Sequence, residues 1–166
     1  MGSNQSKCKI NYEDMQVACK KSYTSDGNGY NGGNNGGNNG GNNNNNNNKY
    51  VIINTLDKNI QACLIQNTIP IHEEENIINN ILKYKHYNDT IIIVYGINSN
   101  DDSVYSKYEQ LVKLGIKNVF IYTGGMFEWL LLQDVYGREL FPTSSRELDI
   151  LKYKPRKILD ILYIGM

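Results

Sequence analysis

The sequence predicts an α/β fold, a small parallel sheet flanked by helices, preceded by a disordered Asn/Gly-rich N-terminal segment. Three observations predict it. Between residues 90 and 136, apolar runs of strand length alternate with stretches of helical periodicity. The connections between them are short, as in parallel sheets covered by helices. From residue 26 to 48 the chain is almost entirely Gly and Asn, and nothing there offsets the entropy lost on ordering.

The chain has 166 residues, enough for one domain with tails. Residues 1–49 read as a flexible tether with no core of its own. Self-association through Asn side-chain ladders is the alternative, weakened by the interspersed Gly. The segment Tyr50-Val-Ile-Ile-Asn54 reads as a buried strand. Two further short apolar pieces lie in residues 62–71, with Pro70 near their end. Glu73-Glu74-Glu75 then opens a helix with Ile77, Ile78, Ile81 and Leu82 on one face. Its carboxylates stand at the positive end of the dipole, and Lys83 and Lys85 near the negative end. Adjacent carboxylates on a helix do not converge on one point, so the triplet is helix electrostatics and not a metal site.

Thr90-Ile-Ile-Ile-Val-Tyr95 is the clearest strand. A polar loop follows (Gly96, Ile97, Asn98, Ser99, Asn100, Asp101, Asp102), with Asp102 expected as the N-cap of the next helix. That helix begins near Ser103, buries Val104, Tyr108, Leu111 and Val112, and stops at Gly115. Residues 117–122 form the next strand. Gly124-Gly125 turns into a helix carrying Phe127, Trp129, Leu130, Leu131 and Val135, ended by Gly137. The expected domain runs from 50 to 145. Residues 146–166 are a C-terminal extension, basic over 152–157 and apolar over 158–164.

Composition removes several classes of function. Lys+Arg and Asp+Glu are 17 each, so no global charge points to a nucleic-acid partner. The three cysteines (Cys8, Cys19, Cys63) form no CxxC pair and have no His cluster, against a disulfide framework or zinc site. Two of them fall in the expected tether, leaving Cys63 alone in the folded part as a small hydrophobe in an apolar stretch. His72 and His86 flank the first helix without a third ligand. No apolar run approaches the roughly 18 residues that span a bilayer, and no secretory signal opens the chain. An intracellular protein without cofactor or metal is expected.

In an open parallel sheet, ligands gather at the carboxyl ends of the strands, where loop 96–102 lies at the mouth of a helix. Strand, loop and helix are followed by Leu-Val-Lys-Leu-Gly115-Ile-Lys-Asn-Val-Phe-Ile-Tyr122 and then Gly124-Gly125-Met-Phe-Glu-Trp129. This succession resembles the C-terminal half of a rhodanese-like domain, best over residues 90–132. In that family a leucine-rich helix ends in Gly, a lysine-asparagine-valine strand follows, and a GGxxxW turn comes next. Over residues 50–89 the match is weaker, with Asn54 at the place of the family's usual Asp. The resemblance implies a persulfide-carrying or phosphatase cysteine at the start of the loop, a thiolate held by loop N–H groups and the helix dipole. The matching place is Gly96, or Asn98 if the match is made without gaps back from Gly115, and neither is cysteine. Ser99 has no partner His or Lys, Asp101 and Asp102 repel an anion, and the phosphate-gripping Arg is missing. The resemblance therefore implies an inactive member, with no catalytic residue.

Met1-Gly2-Ser-Asn-Gln-Ser6-Lys7 fits the N-myristoylation pattern, with Gly2 as acceptor. One acyl chain binds a membrane only marginally, so a second signal is expected. Cys8 is the candidate palmitoylation site, and Lys7, Lys9, Lys20 and Lys21 give basic support. The expected function is a non-catalytic binding or scaffold module, tethered to a membrane through Gly2 and serving a protein partner, without nucleic acid. The alternative is a sulfurtransferase or phosphatase using Cys63 as a displaced thiol.

Overall fold

The structure is a computed structural model that describes residues 8–22 and 49–159. Four strands form one sheet: β1 (Lys9–Ile10), β2 (Lys49–Asn54), β3 (Thr90–Tyr95) and β4 (Val119–Tyr122), in the order β1-β4-β3-β2. Every pairing is parallel. In the registers, Asn54 lies beside Tyr95 and Tyr95 beside Tyr122. The helices are α1 (Tyr12–Lys21), α2 (Ile71–Lys83), α3 (Ser103–Lys113) and α4 (Gly125–Tyr136).

Strand side chains alternate between two cores because the pleat has a period of two. Ile52, Ile93, Tyr95 and Tyr122 pack with Met15, Ala18 and Cys19 of α1 and with Met126, Trp129 and Leu130 of α4. Val51, Ile53, Ile92, Val94, Val119 and Ile121 pack with Ile78 and Ile81 of α2 and with Val104 and Leu111 of α3. The sheet is thus covered on both faces, which explains why its strands read as unbroken apolar runs.

Residues 50–145 do not bound the fold. Asn11 caps α1 with its side chain on the Asp14 N–H, and Asp14 answers on the Asn11 N–H, a capping box. β1 pairs with β4, and Met15 and Ala18 are wholly buried, so residues 8–22 belong to the core that the tether reading denied them. Cys8 (5 % exposed) and Cys19 (6 %) are buried with them, and Cys63 is not the one folded cysteine. At the other end Tyr153 is fully buried in the same core as Trp129, so the extension also enters the fold. Ser22 forms a parallel bridge with Tyr50. The Asn/Gly-rich segment thus connects two neighbouring points of the sheet instead of leading from an anchor to a domain. Residues 23–48, like Gly2, lie outside the described residues.

Two smaller corrections concern helix faces. Val112 is 42 % exposed because α3 turns only Val104 and Leu111 fully inward, with Tyr108 half-buried. Leu131 and Val135 point outward from α4, whose inner face is Met126, Trp129, Leu130 and Gln133.

Candidate functional site

The loop after β3 is held in place by the N-terminus of α4. The Met126 N–H donates to the Gly96 carbonyl (3.0 Å) and the Phe127 N–H to the Ile97 carbonyl (2.9 Å). These are N–H groups that a helix start leaves without intrahelical partners. The approach needs a glycine at 125. Its φ is +64°, and a Cβ there would stand 2.6 Å from the Gly96 carbonyl oxygen and 2.9 Å from the Asn98 nitrogen. Gly124 answers to a different neighbour, since a Cβ there would collide with the Glu128 carboxylate. That carboxylate accepts from the Tyr122 hydroxyl (2.5 Å), and burial together with this bond holds the phenol far above its ordinary ionisation range.

Trp129 completes the turn motif with a structural role. Its ring is fully buried, edge-on to Tyr122 and Phe141, and its indole N–H donates to the Pro142 carbonyl (3.1 Å). It ties α4 to residues 141–145, where Thr143 bridges Ile65.

Inside the loop, Asp101 is the centre. Its Oδ2 accepts from the Ile97 N–H (2.9 Å), and its Oδ1 from the Ser103 N–H (3.0 Å) and the Ser103 hydroxyl (2.5 Å). The cap of α3 therefore comes from Asp101. Asp102 stands at the N-cap position without a side-chain cap bond, correcting the sequence expectation. Asn98 is 8 % exposed, accepts from the Asn100 N–H (3.0 Å) and donates to the Tyr153 carbonyl (3.0 Å). The Asp101 N–H turns back to the Asn98 carbonyl (3.2 Å). Ser99 and Asn100 face solvent.

The geometry at Gly96 is decisive. A Cβ on this residue would run into the Asp101 carboxylate and lie 2.9 Å from Val104 Cγ1. The space for a side chain at the head of the loop is filled by a carboxylate that accepts from the Ile97 and Ser103 N–H groups.

Cys63 lies in the core with Trp129 and Phe141. It is 1 % exposed, its thiol donates to the Ser145 carbonyl (3.5 Å), and it does not line the pocket at the loop. Cys8 is buried at the start of β1, a poor place for an acyl chain. Burial pushes the Cys19 thiol up to about 12.

Beside the loop lies a pocket of about 530 Å³. Its walls include Thr55 and Leu56 after β2, Ile97 and Asp102 of the loop, and Lys154 and Arg156 of the C-terminal segment. Ser103 Oγ stands 2.7 Å from Thr55 Oγ1 across it. Sequence reasoning missed Thr55, and read Lys154 and Arg156 only as part of the basic run 152–157, which the tertiary fold brings to the loop. Asn54, also at this end of the sheet, accepts from the Leu56 N–H (3.1 Å) and the Gln61 amide (2.7 Å).

Among the described residues no helix is long and apolar enough to cross a membrane. No curated protein and no solved structure matches the chain. The family model for the rhodanese-like domain matches residues 42–132, covering β2 through most of α4 and thus the loop and its glycine turn. The chain belongs to the rhodanese-like domain family.

Proposed function

We propose that this protein is a non-catalytic rhodanese-like binding module, held at a membrane through an acylated Gly2 and offering the pocket beside loop 96–102 to a protein partner. The observation that carries the reading is the Asp101 carboxylate lodged where a side chain at Gly96, one of the two places matching the family's cysteine, would project. Thiol chemistry at this loop needs a thiolate in a positive, partly open cradle. Here the Ile97 and Ser103 N–H groups are engaged by Asp101, whose carboxylate sits in the loop. A pocket of about 530 Å³ with apolar, hydroxyl and charged walls is of a size that accepts a short peptide segment. The myristoylation pattern at Gly2 supports the membrane part.

The test has two arms. The purified protein is assayed for sulfur transfer from thiosulfate to cyanide and for phosphate release from an aryl phosphate. Neither activity is expected, and turnover abolished by Cys63→Ala would replace this reading with the displaced-thiol one. Expression in eukaryotic cells with an alkyne-bearing myristate should label the wild type and not Gly2→Ala. An unlabelled wild type would remove the tether from the proposal.

A further inference from the structure

A parallel sheet covered by helices returns every connecting helix to the strands' starting edge, so the ends of α1, α2 and α3 gather at one end of the molecule. The contacts fix this. Ser22 after α1 bridges Tyr50 of β2. The Lys49 N–H donates to the Asp89 carbonyl after α2, and the Asn118 side chain after α3 donates to the Asn88 carbonyl (3.0 Å). Each helix ends in lysine, for the ordinary reason that cations suit a helix C-terminus. Their sum is a surface property that no single helix explains.

Lys20 and Lys21 close α1, Lys83 and Lys85 close α2, and Lys113 and Lys117 flank the end of α3, all exposed. Asp89 is the acidic residue among these ends, and Tyr84 (59 % exposed) and Leu114 (48 %) stand between the lysines. The helix starts at the opposite end carry Glu13, Asp14, Glu73 and Glu74. Within a chain of zero net charge, this end therefore carries a local excess of lysine. The segment 23–48, which leaves and rejoins the fold at the basic end, has Asp26 as its one charged residue and cannot neutralise that end.

We infer that this lysine end is a docking face for an anionic lipid bilayer. The inference deepens the membrane-tethered reading and rests on it for the choice of a membrane. β1 runs parallel to β4, and the extended chain between Gly2 and Cys8, at most about 20 Å, is long enough to reach this end. An acyl chain on Gly2 would draw this end to the bilayer. Exposed Tyr84 and Leu114 suit the headgroup boundary, where aromatic and aliphatic side chains settle beside lysines. The face supplies the second signal that a single acyl chain requires. Nucleic acid is the less suitable polyanion, because a phosphate backbone offers exposed Leu114 no apolar boundary to enter.

The experiment uses the unacylated full chain from bacteria and sedimentation with vesicles of phosphatidylcholine alone or with 30 % phosphatidylserine. Binding to the anionic vesicles alone, falling as salt rises, is expected. Reversal of four lysines (Lys83→Glu, Lys85→Glu, Lys113→Glu, Lys117→Glu) should weaken it by about several hundredfold, at about fivefold per lysine. Lys58→Glu, at the opposite end, should bind as the wild type does, and circular dichroism checks that each variant is folded. Equal binding to both vesicles, an undiminished quadruple variant, or binding to RNA in place of vesicles each overturns the inference. Because the protein tested carries no acyl group, vesicle binding alongside an unlabelled Gly2 would sink the tether and spare the face.

Discussion

At the scale of single residues, neighbouring side chains of the same type do different work. Asp101 accepts two backbone N–H bonds and a hydroxyl, while Asp102 has no side-chain cap bond. Asp101→Ala should therefore cost about 1–3 kcal/mol, and Asp102→Ala should stay within about 0.5 kcal/mol. Urea unfolding of both variants decides it, and equal losses would remove Asp101 from the centre of the loop. The glycines divide likewise. Gly115 has φ +96° with nothing within 4 Å of a Cβ, whereas Gly125 has positive φ and a backbone carbonyl in the way. Gly115→Ala should cost about 1–2 kcal/mol for the backbone alone, and Gly125→Ala should exceed it by at least about 1 kcal/mol. A Gly125→Ala protein as stable as Gly115→Ala would mean that the loop yields. None of this was visible in the sequence, where Asp101 and Asp102 are the same letter and a glycine does not name its neighbour.

At the scale of elements, legibility followed hydrophobic contrast. β3, α3 and β4 were read within a few residues because a buried parallel strand is an unbroken Ile/Val run and a surface helix has a clear apolar stripe. β1 and α1 escaped because β1 has two residues, and α1 buries Met15, Ala18 and Cys19, which stand out little among charged neighbours. The capping box at Asn11 and Asp14 was the signal that could have found α1. The consequence for segment 23–48 is testable. Its ends meet at the Ser22–Tyr50 bridge, so a short turn can replace residues 26–46. Closing a shorter loop costs less entropy, and the excised protein should keep its fold and gain about 1 kcal/mol in urea unfolding. Removing residues 1–22 should instead yield a protein without a cooperative transition, because the surface covered by α1 is laid open. A stable, cooperative domain after that truncation would restore the tether reading.

For the molecule as a whole, burial of proton-binding groups sets an alkaline limit. Cys19 is pushed up to about 12 from an ordinary 9.0 by desolvation, and burial also raises Tyr95 and Tyr122. Groups with raised folded-state values keep their protons in the fold and lose them in the unfolded chain. Their contribution is complete below about pH 9 and disappears as pH climbs toward 12. Cys19 alone implies a loss of about 1.4 kcal/mol per pH unit above 9. Urea unfolding at pH 8 and 10.5 should differ by at least about 2 kcal/mol, with a smaller difference in Cys19→Ala. Equal stability at the two values would show that these groups reach water in the fold. Family and sheet class were legible at this scale because they rest on the order of elements. The lysine end was not, because a count of 17 against 17 has no position on the molecule until the strands are known to be parallel.

Gly96 and Asp101 also bear on how the loop can change over generations. A cysteine placed at 96 meets the carboxylate, and loss of Asp101 leaves α3 uncapped and the Ile97 and Ser103 N–H groups without partners. Each first step is a loss, and the two together are required for any gain. The pair is interlocked: with glycine and aspartate both in place, neither position changes alone without loss.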